Sequence, residues 1–172
     1  MIVMLVGFQE RLCFHRSATG MHSVALGDYD GDGDVDMVMA VSIGNLPFEA
    51  LPAVGETQLD GSLKQIKGVD AGLNAREVRG GGPRFMDIDN DGNLDLFIMA
   101  RKFARTGGIS HIVYENLGGG NFVEKSNSGL ETSGKGSGFL VTDFNEDGSL
   151  DIILLGNCME WWQSNGNFAF AK

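Results

Sequence analysis

The 172-residue sequence is poor in the side chains that build soft-metal and nucleophilic centres. It has two cysteines, Cys13 and Cys158, and three histidines, with no CxxC pair and no zinc-type spacing. None of the histidines lies near a nucleophile motif such as GxSxG. These absences argue against a zinc or copper site and against a nucleophilic hydrolase. We interpret the two cysteines as buried free thiols, with a disulfide between the chain's ends as the alternative.

Long apolar runs are also missing. No stretch of 18 or more apolar residues occurs, so no membrane insertion is predicted. The apolar N-terminal stretch is short and has no basic residue before it, which makes it a poor secretion signal. We interpret it as a strand. Proline is rare, with 3 residues, whereas the 26 glycines indicate many tight turns between short strands.

The formal charge of −10 is concentrated in three short windows. These windows hold 13 of the 23 acidic residues, and the remaining 10 acids face 13 Lys and Arg. Clustered carboxylates repel one another unless a cation lies among them. The acidic windows also disfavour nucleic-acid binding. The pattern therefore predicts cation sites rather than a generally acidic surface.

The three windows are copies of one motif. The segments DYDGDGDVDMVMA, DIDNDGNLDLFIMA and DFNEDGSLDIILLG begin at Asp28, Asp87 and Asp143, at intervals of 59 and 56 residues. Each has Asp or Asn at positions 1, 3, 5 and 9, glycine at position 6 and an aliphatic residue at position 8. A short apolar stretch precedes each segment, and an apolar run follows it. We read these runs as strands on either side of an acidic loop.

Hairpin signals complete each repeat. Turns are predicted at Asp60-Gly61, at Gly118–Gly120 and at Asn165-Gly166. Each repeat thus supplies about four strands, and the predicted fold is all-β. It is a partial β-propeller of about three four-stranded antiparallel blades, with calcium loops between the first two strands of each blade. A solenoid of stacked hairpins is the alternative architecture. The predicted divisions are an N-terminal strand segment over 1–20, forming the outer strand of a preceding or closing blade, and repeats over 21–79, 80–135 and 136–172, which together make one domain or a fragment of a larger propeller.

The loop chemistry favours calcium, a hard cation that takes six to eight oxygen ligands. Alternate residues point the same way, and the glycine at position 6 permits the reversal that returns position 9 toward position 1. We expect about three ions, one per repeat, bound by side chains at positions 1, 3, 5 and 9 and by the backbone carbonyl of position 7. An EF-hand is excluded because position 12 is apolar, and magnesium fits less well. The predicted metal ligands are Asp28, Asp30, Asp32, Asp34 and Asp36; Asp87, Asp89, Asp91, Asn93 and Asp95; Asp143, Asn145, Asp147, Ser149 and Asp151.

The repeated segments resemble the FG-GAP and VCBS repeats, which are similar to the calcium-binding blades of integrin α-subunit propellers. The turns NLGGGNF from Asn116 and NGNF from Asn165 resemble the VCBS hairpin turn. The resemblance covers about residues 21–172, although the literal Phe-Gly…Gly-Ala-Pro signature is degraded. It implies that the ion sits in a hairpin loop and braces the blade. It also implies an extracellular or cell-surface protein that binds another protein or carbohydrate.

The predicted function is a non-enzymatic calcium-binding module for adhesion or recognition, in which calcium is structural. The alternative is a carbohydrate-binding accessory domain of a polysaccharide-active enzyme. Catalysis within this chain is disfavoured because the carboxylate spacing serves a single ion. Three blades leave open edges, so self-association or further blades are expected. Of the adjacent Trp161 and Trp162, one should face the core and the other solvent.

Overall fold

A computed structural model describes residues 20–42, 53–73, 82–99, 111–130 and 136–172. Within these ranges the helical residues are a 3-10 turn over Gly68–Ala71 and the single residue Leu130, and none of the described helices is long and apolar enough to cross a membrane. Apart from Gly20, the predicted N-terminal strand segment over 1–20 lies outside the described residues, as does Cys13. The prediction of an all-β fold is confirmed.

Twelve strands form three four-stranded sheets. Each sheet is an antiparallel meander in which strands adjacent in sequence are also adjacent in space. Apart from Gly20, each sheet falls within one predicted repeat, although the repeat boundaries themselves stay a prediction. The strands are β1 Gly20–Gly27, β2 Asp36–Ser42, β3 Ala53–Thr57 and β4 Leu63–Lys67; β5 Gly82–Met86, β6 Asp95–Met99, β7 Ile112–Asn116 and β8 Phe122–Glu124; β9 Gly136–Thr142, β10 Asp151–Gly156, β11 Met159–Ser164 and β12 Phe170–Ala171.

Each acidic loop lies between the first two strands of its sheet, as predicted. The second strand of every sheet starts at the position-9 aspartate, namely Asp36, Asp95 and Asp151. The third strand returns beside it and brings a hairpin partner to the loop. Position 11 pairs with Val54 in the first sheet, Val113 in the second and Trp161 in the third.

Two apolar cores lie between the three sheets, one between each pair of neighbours. The first joins Val38 and Val54 of the first sheet to Leu96 and Tyr114 of the second. The other joins the opposite face of the second sheet to the third, where Trp162 packs. All five residues of β6 are buried, because its sheet is covered on both faces. At about 1.5–3 kcal/mol for each large apolar side chain buried, these two layers are the main source of fold stability.

A Gly-Leu pair links each of the first two sheets to the next. Leu73 and Leu130 are fully buried in the first and second core, respectively. The glycine before each leucine has a positive φ, +83° at Gly72 and +90° at Gly129. A Cβ at Gly72 would overlap with the Phe122 carbonyl oxygen in the last strand of the next sheet. Only glycine fits such a close backbone approach.

Two predictions about single side chains have opposite outcomes. Cys158 is a free thiol and is exposed at the tight turn between β10 and β11, so its interpretation as a buried thiol is wrong. Because Cys158 lies in the turn, outside both strands, its side chain does not join the apolar residues that pack between the sheets. Trp162 is buried at 4% exposure and Trp161 is 38% exposed, which confirms the predicted alternation.

Candidate metal centres

The three acidic loops share one backbone conformation. The position-6 glycines Gly33, Gly92 and Gly148 have φ values of +92°, +91° and +89°. An added Cβ would meet nothing within 4 Å at any of them, so the requirement for glycine is conformational rather than steric. Position 4 is also left-handed, with φ of +61° at Asn90 and +60° at Glu146. The repeated motif therefore encodes a repeated turn.

The position-1 aspartate holds each turn closed. One of its carboxylate oxygens accepts a hydrogen bond from the backbone N–H of the position-6 glycine, at 3.0 Å for Asp28, 3.0 Å for Asp87 and 2.9 Å for Asp143. The other oxygen accepts from an earlier N–H in the loop, that of Gly31 for Asp28. These bonds orient the carboxylate before any ion arrives.

The position-9 aspartate ties the loop to the third strand. Its Oδ1 accepts a backbone N–H from the end of that strand: Asp36 from Thr57 at 2.8 Å and Asp95 from Asn116 at 2.8 Å. Asp151 accepts from Ser164 at 2.9 Å in the same way. All three aspartates are fully buried. Buried carboxylates are rare unless they are paired or bind a cation, so this position points to a ligand.

Carboxylates converge in the first two loops. One oxygen each from Asp28, Asp30, Asp32 and Asp36 lie within 4.8 Å of one another. Oxygens on opposite sides of a hard cation are about 5 Å apart, twice a metal–oxygen distance of about 2.3–2.6 Å. The described residues thus contain a first group whose span matches one ion.

The second loop brings together three of its predicted ligands, Asp87, Asp89 and Asp95. Asp91 is outside this group, and its Oδ2 accepts the side-chain amide of Asn93 at 2.8 Å. The carboxylates of the third loop form no such group among the described residues. Asp34 is also outside the first group, as expected for a position predicted to use its backbone carbonyl.

One buried oxygen of the first loop has no hydrogen-bond donor among the described residues. Asp36 Oδ2 is buried and accepts no hydrogen bond within the described part of the chain. A buried carboxylate oxygen without a donor costs free energy unless a cation compensates it. The surrounding donor set consists of oxygens only, which suits a hard cation and excludes the sulfur- and nitrogen-seeking metals. The residues therefore fit an oxygen-ligated cation.

The electrostatics of both groups favour a positive charge. Burial raises the pKa of Asp36 to about 6, and repulsion from Asp30 and Asp32 adds to this shift. Burial raises the pKa of Asp95 to about 7, although backbone N–H donors partly offset it. Burial also raises the pKa of Asp89. A cation among these carboxylates would stabilise their ionised forms.

The third loop is satisfied by side-chain donors instead. Asn145 donates its amide to Asp147 Oδ2 at 2.7 Å, and Gln163 donates to the same oxygen at 3.3 Å. Trp161 Nε1 donates to Asp151 Oδ2 at 3.0 Å. Hydrogen bonds from the Ser149 N–H and the Asn145 amide lower the pKa of Asp147. Sequence reasoning did not find Trp161 and Gln163 as partners of the loop, because strand pairing alone brings them there.

Neighbouring loops are connected. The Asn90 amide donates to the Gly148 carbonyl at 3.2 Å, which links the second loop to the third. Asn116, beside the second loop, donates its amide to the Tyr29 carbonyl in the first loop at 2.6 Å. The same amide also donates to the backbone carbonyl of Leu94 at 3.0 Å. Hydrogen bonds therefore connect the first loop to the second sheet and the second loop to the third.

Comparison with known proteins agrees with this architecture. The FG-GAP-like repeat family model matches residues 87–154, from position 1 of the second loop through the third loop and into β10. A search of curated proteins gave no match. Residues 87–154 are similar to the FG-GAP-like repeat, which forms β-propeller blades, and the three four-stranded antiparallel sheets agree with blades of that type.

Proposed function

We propose that this chain is a non-catalytic calcium-binding repeat module for adhesion or recognition, with calcium in a structural role. The observation that carries the proposal is the buried, unpartnered Oδ2 of Asp36 in a group of four converging carboxylates. Calcium is preferred over magnesium because it tolerates irregular geometry and needs fewer retained waters. The expected ligands are those predicted from the sequence, about one ion per repeat.

Each ligand has a distinct part in the site. Asp28 is held in place by the loop's own N–H groups, while Asp36 connects the ion to the third strand through Thr57. An ion in the loop would therefore fix the first two strands relative to the third. Calcium would brace the blade and keep the neighbouring loop surface rigid for a partner.

A non-catalytic role is supported by where the carboxylates point. In the first group they converge on one position within 4.8 Å, as ligands of a single ion do. A glycosidase needs its acid and base about 5 Å or more apart across a substrate. The loops have the composition for ion binding rather than for an acid–base pair.

The ligand of the module is a protein or a carbohydrate, outside the cell. Because the loops lack a bidentate glutamate at position 12, we expect calcium to bind with a Kd of about 10⁻⁴ to 10⁻³ M, the range of extracellular modules. The alternative is a carbohydrate-binding accessory domain of a polysaccharide-active enzyme. Trp161 favours it, since its indole is 38% exposed and could stack on a sugar. Glycan-array binding that Trp161→Ala abolishes would select this alternative.

We also propose self-association through the outer face of the third sheet, on the side away from the second sheet. The equivalent faces of the first and second sheets are covered by the next sheet, whereas here large side chains are exposed. A second copy would cover this face with the outer face of its first sheet, where Val24 and Leu26 are exposed. The outer face of the third sheet contains Leu140, Leu155, Met159 and Trp161, with Phe144 beside them.

Calcium titration of chelator-treated protein tests the main proposal. We expect heat of binding by calorimetry and a rise in melting temperature, since a ligand of the folded state stabilises by about 1.4 kcal/mol per site at ten times its Kd. Asp36→Asn should remove part of this rise. Asp34→Asn is the matched control, because it removes the same charge outside the carboxylate group and keeps the backbone carbonyl that is the predicted ligand at this position. No heat and no thermal shift in the parent protein would contradict calcium binding.

A further inference from the structure

The position-9 aspartates differ in how many donors reach their second oxygen. Asp36 Oδ2 accepts none within the described part of the chain. Asp95 Oδ2 accepts one backbone N–H, from Ile88 at 2.8 Å. Asp151 Oδ2 accepts two N–H groups, from the Phe144 backbone at 3.3 Å and the Trp161 indole at 3.0 Å. A carboxylate oxygen has two lone pairs, so a lone pair remains for an ion in the first two loops but not in the third.

Strand register explains the difference. Trp161 pairs with Ile153, two residues after Asp151, and its indole reaches back to the loop. Val54 and Val113 hold the same position in the first and second sheets. Valine has no side-chain donor, so neither can reach its aspartate in this way. The indole hydrogen bond is specific to the third sheet.

A second contact holds the indole in place. The Trp161 ring packs against Phe144, position 2 of the same loop, with ring centroids 5.0 Å apart and planes inclined at 59°. Gln163, two residues further along β11, donates to Asp147 Oδ2. Two predicted ligands of the third loop thus accept donors from β11 side chains. In the third loop these carboxylate oxygens are therefore occupied by protein donors, whereas in the first two loops the position-9 oxygen Oδ2 keeps a free lone pair.

We propose that the third loop is a weaker cation site than the other two, because the Trp161 indole occupies the Asp151 oxygen that an ion would bind. Calcium would fill the first two loops before the third, and the third only as the indole leaves Asp151. This inference rests on the proposed calcium-binding function.

The physical reason is competition for one lone pair. The positive end of the indole N–H and a cation cannot both take the same position on Asp151 Oδ2. A hydrogen bond to a charged acceptor must be given up before the ion enters, which lowers affinity by about tenfold to hundredfold. The third loop also has asparagine at position 3, where the others have Asp30 and Asp89, so its ligand charge is smaller.

Calcium titration of the decalcified full chain at neutral pH counts the sites. We expect two tighter ions and a third that binds about tenfold to hundredfold more weakly. Trp161→Phe keeps the aromatic contact with Phe144 but removes the N–H, so the third affinity should rise by about tenfold. Trp162→Phe is the matched control, since it removes the neighbouring indole, which donates to Glu160 rather than to the loop.

Single-ligand variants give a test that does not depend on replacing tryptophan. Asp36→Asn and Asp95→Asn should each reduce the tighter sites from two to one. Asp151→Asn should leave both tighter sites and abolish the weak phase. If all three substitutions each remove one of three equivalent sites, this inference is overturned and calcium binding stands.

Fluorescence reports the indole directly, because Trp161 and Trp162 are the two tryptophans of the chain. In the control variant Trp162→Phe, Trp161 is the one remaining tryptophan, so the emission of that variant reports Trp161 alone. It should stay constant while the first two ions bind and change in step with the third. A Trp161 signal that changes with the first ion, or never changes while a third ion binds, contradicts the inference. No binding at any loop overturns the proposed function, and the inference with it.

Discussion

At the scale of single residues, the position-9 aspartates are fully buried, and their two carboxylate oxygens have different roles. Each holds the third strand through Oδ1, whereas among the described residues the second oxygen, Oδ2, accepts no donor in Asp36, one in Asp95 and two in Asp151. Burial opposes ionisation of two of them, so the pKa of Asp95 rises to about 7 and that of Asp36 to about 6. Protons would therefore compete with the proposed calcium ions for the same oxygens.

We predict a pH effect of Asp95 on the stability of the chelated protein. Because its folded pKa is about 7, against 3.8 for the ordinary carboxyl, the folded state holds more protons than the unfolded state between these values. The stabilisation is present below pH 3.8 and is lost as the pH rises through about 7. Relative to Asp95→Asn, the parent should lose at most about 1.4 kcal/mol per pH unit in this window. Urea unfolding at pH 4.5, 6 and 7.5 measures it.

The comparison with the variant is essential because another buried group acts in the opposite direction. Burial lowers the pKa of His111 to about 4, and the Glu160 carboxylate only partly offsets this. His111 therefore contributes stability that grows as the pH rises from about 4 toward 6.5. It acts equally in parent and variant, so it cancels in the difference. Parallel pH profiles for the two proteins would contradict the Asp95 prediction.

At the scale of elements, the connections between sheets depend on backbone as much as on side chains. The Gly-Leu pair after the second sheet packs beneath β12, where Phe170 N donates to the Ser128 carbonyl at 2.7 Å. Gly129 must keep a φ of +90° directly against the Phe170 carbonyl oxygen. Blade-to-blade packing thus requires a glycine that no loop ligand depends on.

We predict that Gly129→Ala destabilises the fold strongly. The left-handed conformation alone costs alanine about 1–2 kcal/mol, and overlap of its Cβ with the Phe170 carbonyl adds to this. Gly61→Ala is the control, because Gly61 has a φ of +79° and open space around a Cβ. Urea unfolding should show a clearly larger loss for Gly129→Ala than for Gly61→Ala. Equal losses would mean that the close approach at Gly129 contributes nothing.

At the scale of the whole molecule, the third sheet exposes large apolar side chains on its outer face. Met159 is 70% exposed and Leu140 is 56% exposed on it. Large exposed apolar patches often mark interaction surfaces, which supports the self-association proposed above. A heterologous contact between the third sheet of one copy and the first sheet of another would repeat the packing already present between blades.

We predict concentration-dependent self-association that Met159→Lys weakens. The lysine would place a charge within the proposed contact, where desolvation disfavours it. Leu117→Lys is the control, because Leu117 is 62% exposed at the turn between β7 and β8, away from the outer face. Sedimentation velocity over a range of concentrations should show association for the parent and the control. A parent protein that stays monomeric throughout would contradict the proposal.

Most of the fold could be predicted from local sequence patterns. The alternation around each loop and the Asp-Gly and Asn-Gly turns predicted four strands per repeat, since strand and turn preferences act within a few residues. The regular offsets also predicted which aspartates converge in the first loop. Asp91 shows where this reasoning ends, because its side chain accepts the Asn93 amide and is outside its group.

The sequence by itself determined the all-β class, the three loops and the identity of their candidate ligands, because each depends on neighbours close along the chain. Tertiary structure decided how the loops differ. Whether a position-9 oxygen is free depends on what pairs across the sheet, and Trp161 meets Asp151 only through the register of β10 and β11. Contacts such as Asn116 to Tyr29, 87 residues apart, exist only once the blades pack. Hydrogen-bond geometry at that range is a property of the assembled sheets, so no local pattern encodes it.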